Sequence, residues 1–597
     1  MTDDHHGMKR ETRRIGRRMH RLVRRLAVVE LCVFGMVAVA STWPLASHLR
    51  TGLPLGTEPA ATVPLFTSWT VWWNCDRLTH LYSNYWDAPI FYDCPDTLAF
   101  SEPLPLTVVG APVYWSTKSP AATGNTVLLF ALTLNGWSAF RFFSRVHRSR
   151  LVAFLGGLMI ELLPFVHHEI AVLQLVPLCG VIWTLHSLHH WMHGPSWFAA
   201  IATGGCCAVT YLLCSYYGLF LLMLLVASVP WLLGRRLMQV RTWCLAGVSA
   251  AIFLLLAAPV IRAQMRVTET YQLNRSQATV RQFSATLADY RAAPWQSIWH
   301  QAVDSRATQT RLFALHPGNL KVFLALLGAI AGLRYRRYRR WTAFSLAMLA
   351  ASMLLSFGPG LQVGGWSLYG LLVRWIPGFA QVRSPFRFAV FVQLMIVQLS
   401  VIGLYLLLRI GRAKLRHVAQ DRMAWLAVTA VIVVGVSGAV ELWPPPQRIF
   451  RLPTVSDNTP WISWLRNRTP EGSVVACLPF PTGRSDRDFE STTLWMYAAT
   501  YHKRPLVNGF SGFFPQSYRQ LQGDMASFPS DASLRSLQTR GVDYCVIGST
   551  VTNWNKIEPT AGSSVGLQRV FVDPQAQVGI YRLVTAPLAD RREDLAR

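Results

Sequence analysis

Apolar runs long enough to cross a bilayer recur through most of this chain, and short basic loops close every second one. The runs cover about 26–46, 125–143, 151–165, 170–188, 198–213, 219–233, 243–261, 320–333, 341–357, 388–408 and 425–442. The basic loops carry Arg145, His147, Arg148 and Arg150; then Arg235, Arg236 and Arg241; then Arg334, Arg336, Arg337, Arg339 and Arg340; then Arg409, Arg412, Lys414 and Arg416. Placing all of them on the cytoplasmic side gives about eleven spans, with the amino terminus inside and the carboxyl terminus outside. The stretch LPLTVVGAPVYWSTKSP at 104–120 is apolar but holds three prolines and a lysine, so it reads as interfacial or re-entrant. Beyond Pro444, Pro445 and Pro446 the pattern changes. SVVACLPF, PLVNGF, VDYCVIG and VGIYRL predict short strands, and ESTTLWMYAATY and ASLRSLQTRG predict helices between them.

The expected architecture is an α-helical polytopic membrane protein with a carboxyl-terminal α/β soluble domain. Residues 1–25 form a basic cytoplasmic segment, 26–443 the membrane domain and 444–597 the outer domain. The membrane domain carries outer loops at 47–103 and 262–319.

Composition agrees: 52% of the 597 residues are hydrophobic and 15% charged, with a mean hydropathy of +0.27. The 57 Lys and Arg against 30 Asp and Glu leave a net charge of +27. Because this charge sits between apolar runs and on the amino-terminal segment, it points to membrane topology and anionic head groups rather than nucleic acid. None of the ten cysteines shows metal-site spacing. Cys477 and Cys545, on predicted strands, read as buried thiols, and Cys75 with Cys94 is the better disulfide candidate.

Candidate chemistry concentrates in the loop at 47–103. Glu58, Asp87, Asp93, Asp96 and Glu102 lie there beside the aromatic run SWTVWWNCDR, in a membrane part otherwise poor in carboxylates. Acidic groups flanked by interface-seeking aromatics suit chemistry on a substrate held at the membrane surface; an aromatic-belted, solvated loop is the plainer alternative. His167 and His168 follow Pro164 at a span end. His186, His189, His190 and His193 share one face of a predicted helix, where a solvated helix end is the default. Tyr497, His502 and Asn508 lie near PLVNGFSGFFP, which suits either an acceptor grip or a glycine turn.

The order of elements resembles the GT-C superfamily of integral-membrane glycosyltransferases, and several patterns resemble its bacterial YfhO-like branch. They are GTEPAATVPLFTSWTVWWNCDR, YWDAPIFYDCPDTLAFSEP, LPFVHHEIAVLQL, FSATLADY, LHPG, RSPFRFAVFVQL and PLVNGFSGFFP. The resemblance implies transfer of a sugar from a polyprenyl-phosphate or polyprenyl-diphosphate donor to a glycan, lipid or protein acceptor at the outer face of a bacterial cytoplasmic membrane. It aligns Glu58 with the acidic catalytic residue that follows the first span, and Asp87 and Glu102 with further acidic positions of the loop.

In such a reaction a carboxylate takes the acceptor hydroxyl's proton. Glu58 is the first choice, and a helix-start role beside Pro59 is the alternative. The departing phosphate calls for positive charge, for which Arg383 and Arg387 in QVRSPFRF stand at an outer span end. Asp87 or Glu102 suits a divalent ion such as Mg or Mn bridging that phosphate, or else loop hydrogen bonding. His167 or His168 is a candidate sugar or phosphate ligand. Two other classes stay open: a transporter or flippase for lipid-linked glycans, and a non-catalytic assembly protein.

Overall fold

The computed structural model describes residues 27–295, 313–364, 366–415, 422–548 and 566–584; the basic segment 1–25 lies outside them. In chain order, α1 (Ala27–Ser41) leads to β1 (Gly52–Pro54), α2 (Thr62–Thr79), a 3-10 helix at Pro105–Gly110 and α3 (Ala111–Thr117). The helical bundle continues with α4 (Pro120–His147), α5 (Arg150–Glu161), α6 (Pro164–His168), α7 (Cys179–His193), α8 (Trp197–Leu213), α9 (Ser215–Leu233) and α10 (Val240–Tyr271). Short α11 (Gln277–Gln282) and α12 (Leu287–Arg291) precede α13 (Asn319–Arg334) and α14 (Arg336–Ser356). A hairpin of β2 (Gln362–Val363) and β3 (Trp366–Ser367), then α15 (Leu368–Trp375), α16 (Ala389–Leu415) and α17 (Arg422–Val440), complete this part.

Each predicted apolar run overlaps a helix. Among the described residues five stretches are long and apolar enough to cross a membrane: Pro120–His147, Arg150–His168, Ser215–Met238, Val240–Tyr271 and Pro385–Gly411. The run predicted at 170–188 is shorter as helix, because Pro177 cannot donate to a helical ladder and α7 starts only at Cys179. Conversely α10 runs on to Tyr271, so Arg262 and Arg266 belong to a helix rather than to an outer loop. The 104–120 stretch forms only the 3-10 helix and seven-residue α3 before Ser119 starts α4.

Local chemistry sets the helix starts. Ser119, Ser149 and Ser196 each accept a backbone N–H of the first turn of α4, α5 and α8. Three other helices borrow a carboxylate from far away in sequence. Glu490 accepts the Ala61 N–H at the start of α2 (2.7 Å), Glu441 accepts Asn319 and Leu320 N–H at the start of α13 (2.7 and 3.0 Å), and Glu102 caps α9. Each places a negative charge at the positive end of a helix dipole while tying two elements together.

After α17 come β4 (Ile449–Arg451), α18 (Pro460–Arg468), β5 (Val475–Leu478), α19 (Glu490–His502), α20 (Gln516–Asp524), α21 (Asp531–Thr539), β6 (Tyr544–Gly548), β7 (Leu567–Asp573) and β8 (Val578–Leu583). The sheet order is β5-β6-β8-β7, parallel between β5 and β6 and antiparallel elsewhere. PLVNGF, expected as a strand, contributes a single bridge between Leu506 and Val475. Cys477 and Cys545 are buried free thiols on β5 and β6, whereas Cys75 and Cys94 are not disulfide-bonded. Cys75 is sealed in the bundle core, and Cys94 faces Ser517 (3.6 Å).

The carboxyl-terminal region is not independent of the loop at 47–103. β1 pairs with β4, and Trp69, Trp72 and Trp73 are buried in one core with Val475, Leu478, Trp495 and Ile547. The tryptophans expected to belt a membrane interface are thus core residues, and burying a large aromatic side chain contributes up to about 4–6 kcal/mol. Burial works against the charge of Asp76, but Arg77 and Lys503 outweigh it and hold its carboxyl below the usual range. Loop and sheet therefore lie on the same side of the bundle.

Candidate active site

Two backbone segments converge where α6 meets the start of α16. The Phe165 N–H donates to Gln393 Oε1 (3.0 Å), and the Phe165 and Phe386 rings lie 6.1 Å apart. This contact brings the His167–Glu169 segment towards the 3-10 helix Pro385–Phe388, which carries Arg387. The turn bearing Glu58 joins from the other side: Thr57 Oγ1 donates to His168 O (3.2 Å). Gly56 has φ +49°, and a Cβ there would lie 3.1 Å from His168 O, so only glycine lets the turn approach this closely. Glu58 is half-buried in that turn. His168 Nδ1 lies 3.0 Å from a carboxylate oxygen of Glu169, and His167 Nε2 donates to Glu161 O (3.1 Å).

Arg387 is buried, with its guanidinium 4.8 Å from the Tyr216 ring centre. Beside it, Glu102 Oε2 accepts the Ser215 N–H at 2.8 Å, while Oε1 faces the Tyr216 N–H at 3.3 Å. Burial raises the carboxyl of Glu102 above its ordinary value, opposed by these backbone donors and by Arg387. Arg383 lies over Phe283 at 5.0 Å. A third guanidinium completes the group: Arg275, over Phe513 at 3.6 Å, donates to Gly512 O. Burial, with repulsion from Arg383 and Arg387, pulls Arg275 down to about 10, so it stays charged at neutral pH.

The donors of this group are not used up by the protein. Arg275 Nε, Arg387 Nε, Ser384 Oγ and Ser511 Oγ are buried without a hydrogen-bond partner. Among the described residues no carboxylate lies within ion-pair distance of any of the three arginines. Buried guanidinium N–H groups without acceptors cost free energy unless an anion fills the site. The cradle thus has the chemistry to hold a phosphate.

The chain is similar to several solved structures. The arabinofuranosyltransferase AftD from Mycobacteria matches with a TM-score of 0.51 at 14% identity, over 94% of this chain and 40% of that one. The chain thus shares the fold of that arabinofuranosyltransferase. The oligosaccharyltransferase AglB from Archaeoglobus fulgidus, in complex with an inhibitory peptide and a dolichol-phosphate, matches at 0.49 and 11% identity, over 94% of this chain and 75% of that one. ArnT from Cupriavidus metallidurans, bound to undecaprenyl phosphate, matches at 0.43 and 12% identity, over 93% of this chain and 98% of that one. No protein-family model and no curated protein sequence matches the chain.

Within this fold the turn carrying Glu58 packs on the His168 backbone, and Phe165 of α6 packs on Phe386, next to Arg387 in sequence. Asp87 stands apart, exposed, accepting the Asp96 N–H at 2.8 Å, while Asp96 meets Arg266 of α10 at 3.4 Å. Among the described residues no group of three or more His, Cys, Asp and Glu side chains is arranged to hold a metal. Tyr497, His502 and Asn508 are buried, and Asn508 is spent on both backbone groups of Cys477 (2.7 and 2.8 Å). Their grip on an acceptor is replaced by a structural role. Sequence reading missed Arg275, Ser384, Ser511 and Glu169; Glu169, next to two histidines already singled out, and Ser384, next to Arg383, had a local signal.

Proposed function

We propose that this chain is a membrane glycosyltransferase that moves a sugar from a polyprenyl-phosphate-linked donor to a glycan, lipid or protein acceptor at the outer face of a bacterial cytoplasmic membrane. The observation that carries this reading is the cluster of Arg275, Arg383 and buried Arg387, in which the buried Nε groups of Arg275 and Arg387 have no acceptor, set in a GT-C-like fold with the Glu58 turn packed on the neighbouring α6 segment. The carrier's phosphate occupies the arginine cradle. Glu58 takes the proton from the acceptor hydroxyl as that oxygen bonds to the anomeric carbon. The bond from that carbon to the phosphate oxygen breaks, and the charge gathering on the phosphate is met by the guanidinium groups. His168 and Glu169 brace the Glu58 turn and bind the sugar, with His167 anchoring their segment from behind. Glu102 holds α9 and the face on which Arg387 rests, and Asp87 fixes its own loop. The loop and the carboxyl-terminal sheet, on one side of the bundle, form the extracytoplasmic face, as the basic loops at the other end suggest.

The test is transfer of labelled sugar from a polyprenyl-phosphate donor by the purified full-length protein in lipid. Transfer that Glu58→Gln abolishes is expected. Transfer that persists in the variant removes Glu58 from the mechanism, and its absence across a panel of such donors in the wild type overturns the reading.

A further inference from the structure

The opposite end of the bundle holds a second cationic site. Helix α4 carries the separation: near its start Asn125 donates to Leu49 O and Gly52 O beside the first loop, and its 28 residues then run about 42 Å to His147. There a cavity of about 420 Å³ opens, lined by Arg145 in the last turn of α4 and Arg148 just after it, by His189, His190 and His193 of α7, and by Arg337 of α14. No carboxylate lines it among the described residues.

Basic residues are common at this end of a membrane protein, but these differ from their neighbours. Arg236 and Arg339 close onto backbone carbonyls, Met192 O and Leu333 O. The guanidinium groups of Arg145, Arg148 and Arg337, from two different helices, have no hydrogen-bond or ion-pair acceptor among the described residues. Two buried groups are left in the same condition. The indole N–H of Trp341, in the cavity lining, has no acceptor. His147 is fully buried with neither ring nitrogen partnered, its ring 5.6 Å from that of Tyr338 in the same lining. Three helix ends thus contribute donors and positive charge to one cavity and supply no acceptor.

We infer that this cavity binds a phosphate-bearing anion, either the head group of an anionic phospholipid or a soluble phosphate. Three guanidinium groups suit phosphate oxygens by charge and by fork geometry, and the histidine ring N–H groups add shorter-range donors. The site is separate from the arginine cradle and does not depend on the reaction proposed there.

The test uses the full chain with two probes: inorganic pyrophosphate, followed by thermal shift in neutral detergent, and phosphatidylglycerol, followed by retention in native mass spectrometry. The pocket variant Arg148→Gln/Arg337→Gln is compared with Arg334→Gln/Arg340→Gln, which removes the same charge from the same end. All four positions are exposed, and unaltered unfolding temperatures without ligand confirm that both variants fold. The pocket variant is expected to weaken binding about tenfold or more, the loss of one charge-assisted contact or better, and the control less than twofold. Retention of phosphatidylglycerol alone assigns the site to a lipid, and pyrophosphate binding assigns it to a soluble anion; either upholds it. Equal weakening in both variants, or no binding of either probe to the wild type, overturns it.

Discussion

The carboxylates of the first loop divide into two groups. Four of those from Asp76 to Glu102 are engaged in architecture: Asp76 with Arg77 and Lys503, Asp87 with the Asp96 backbone, Asp96 with Arg266, and Glu102 with the start of α9, while exposed Asp93 meets the neighbouring Cys94 thiol. Glu58 sits half-buried in a glycine-dependent turn pressed against the His168 backbone. An acidic stretch in sequence is therefore not a site in itself. The proposed general base, Glu58, is set apart by the packing of its turn on a segment distant in sequence.

Substitutions can sharpen or break this division. The largest effect is expected for Glu58→Gln, a fall in sugar transfer of about a thousandfold, within the range for loss of a general base, with an unaltered unfolding temperature. Arg387→Gln should lower transfer by about a hundredfold, as loss of a preorganised charge donor does. Glu102→Ala belongs to the other class. It leaves two N–H groups at the start of α9 without acceptors and should cost about 2–3 kcal/mol in unfolding experiments. Acid offers a milder probe of the carboxyl-terminal region, where burial pulls the imidazole of His502 down to about 3. The unfolded chain takes up this proton first, so the contribution of neutral His502 is whole above about pH 6.5 and declines as pH falls towards 3. By pH 5 the loss should reach about 2 kcal/mol, and the His502→Gln variant should show a flatter acid profile. Asp87→Asn keeps an acceptor for the Asp96 N–H and should change stability by less than about 0.5 kcal/mol, with transfer intact.

Much of the helical layout was legible because apolar runs of bilayer length are a local signal, and so was the α/β character after Pro444, with Cys477 and Cys545 on neighbouring strands. The failures share a cause. Trp69, Trp72 and Trp73 look like interface residues in sequence, and only the docking of a sheet some four hundred residues away turns them inward. Arg275 sits in an irregular stretch after α10, and nothing near it in sequence announces that Gly512 and Phe513 will hold it beside Arg387. The remote caps from Glu102, Glu441 and Glu490 were hidden for the same reason. Tertiary pairing, rather than periodicity or spacing, assigns these roles.

The central claim is that the buried guanidinium cradle receives a carrier lipid's phosphate. It is tested most directly by titrating the purified full-length protein with undecaprenyl phosphate, comparing the wild type with Arg275→Gln and Arg387→Gln. The account predicts saturable binding that weakens about tenfold or more in each variant. Binding equal in all three proteins would contradict it.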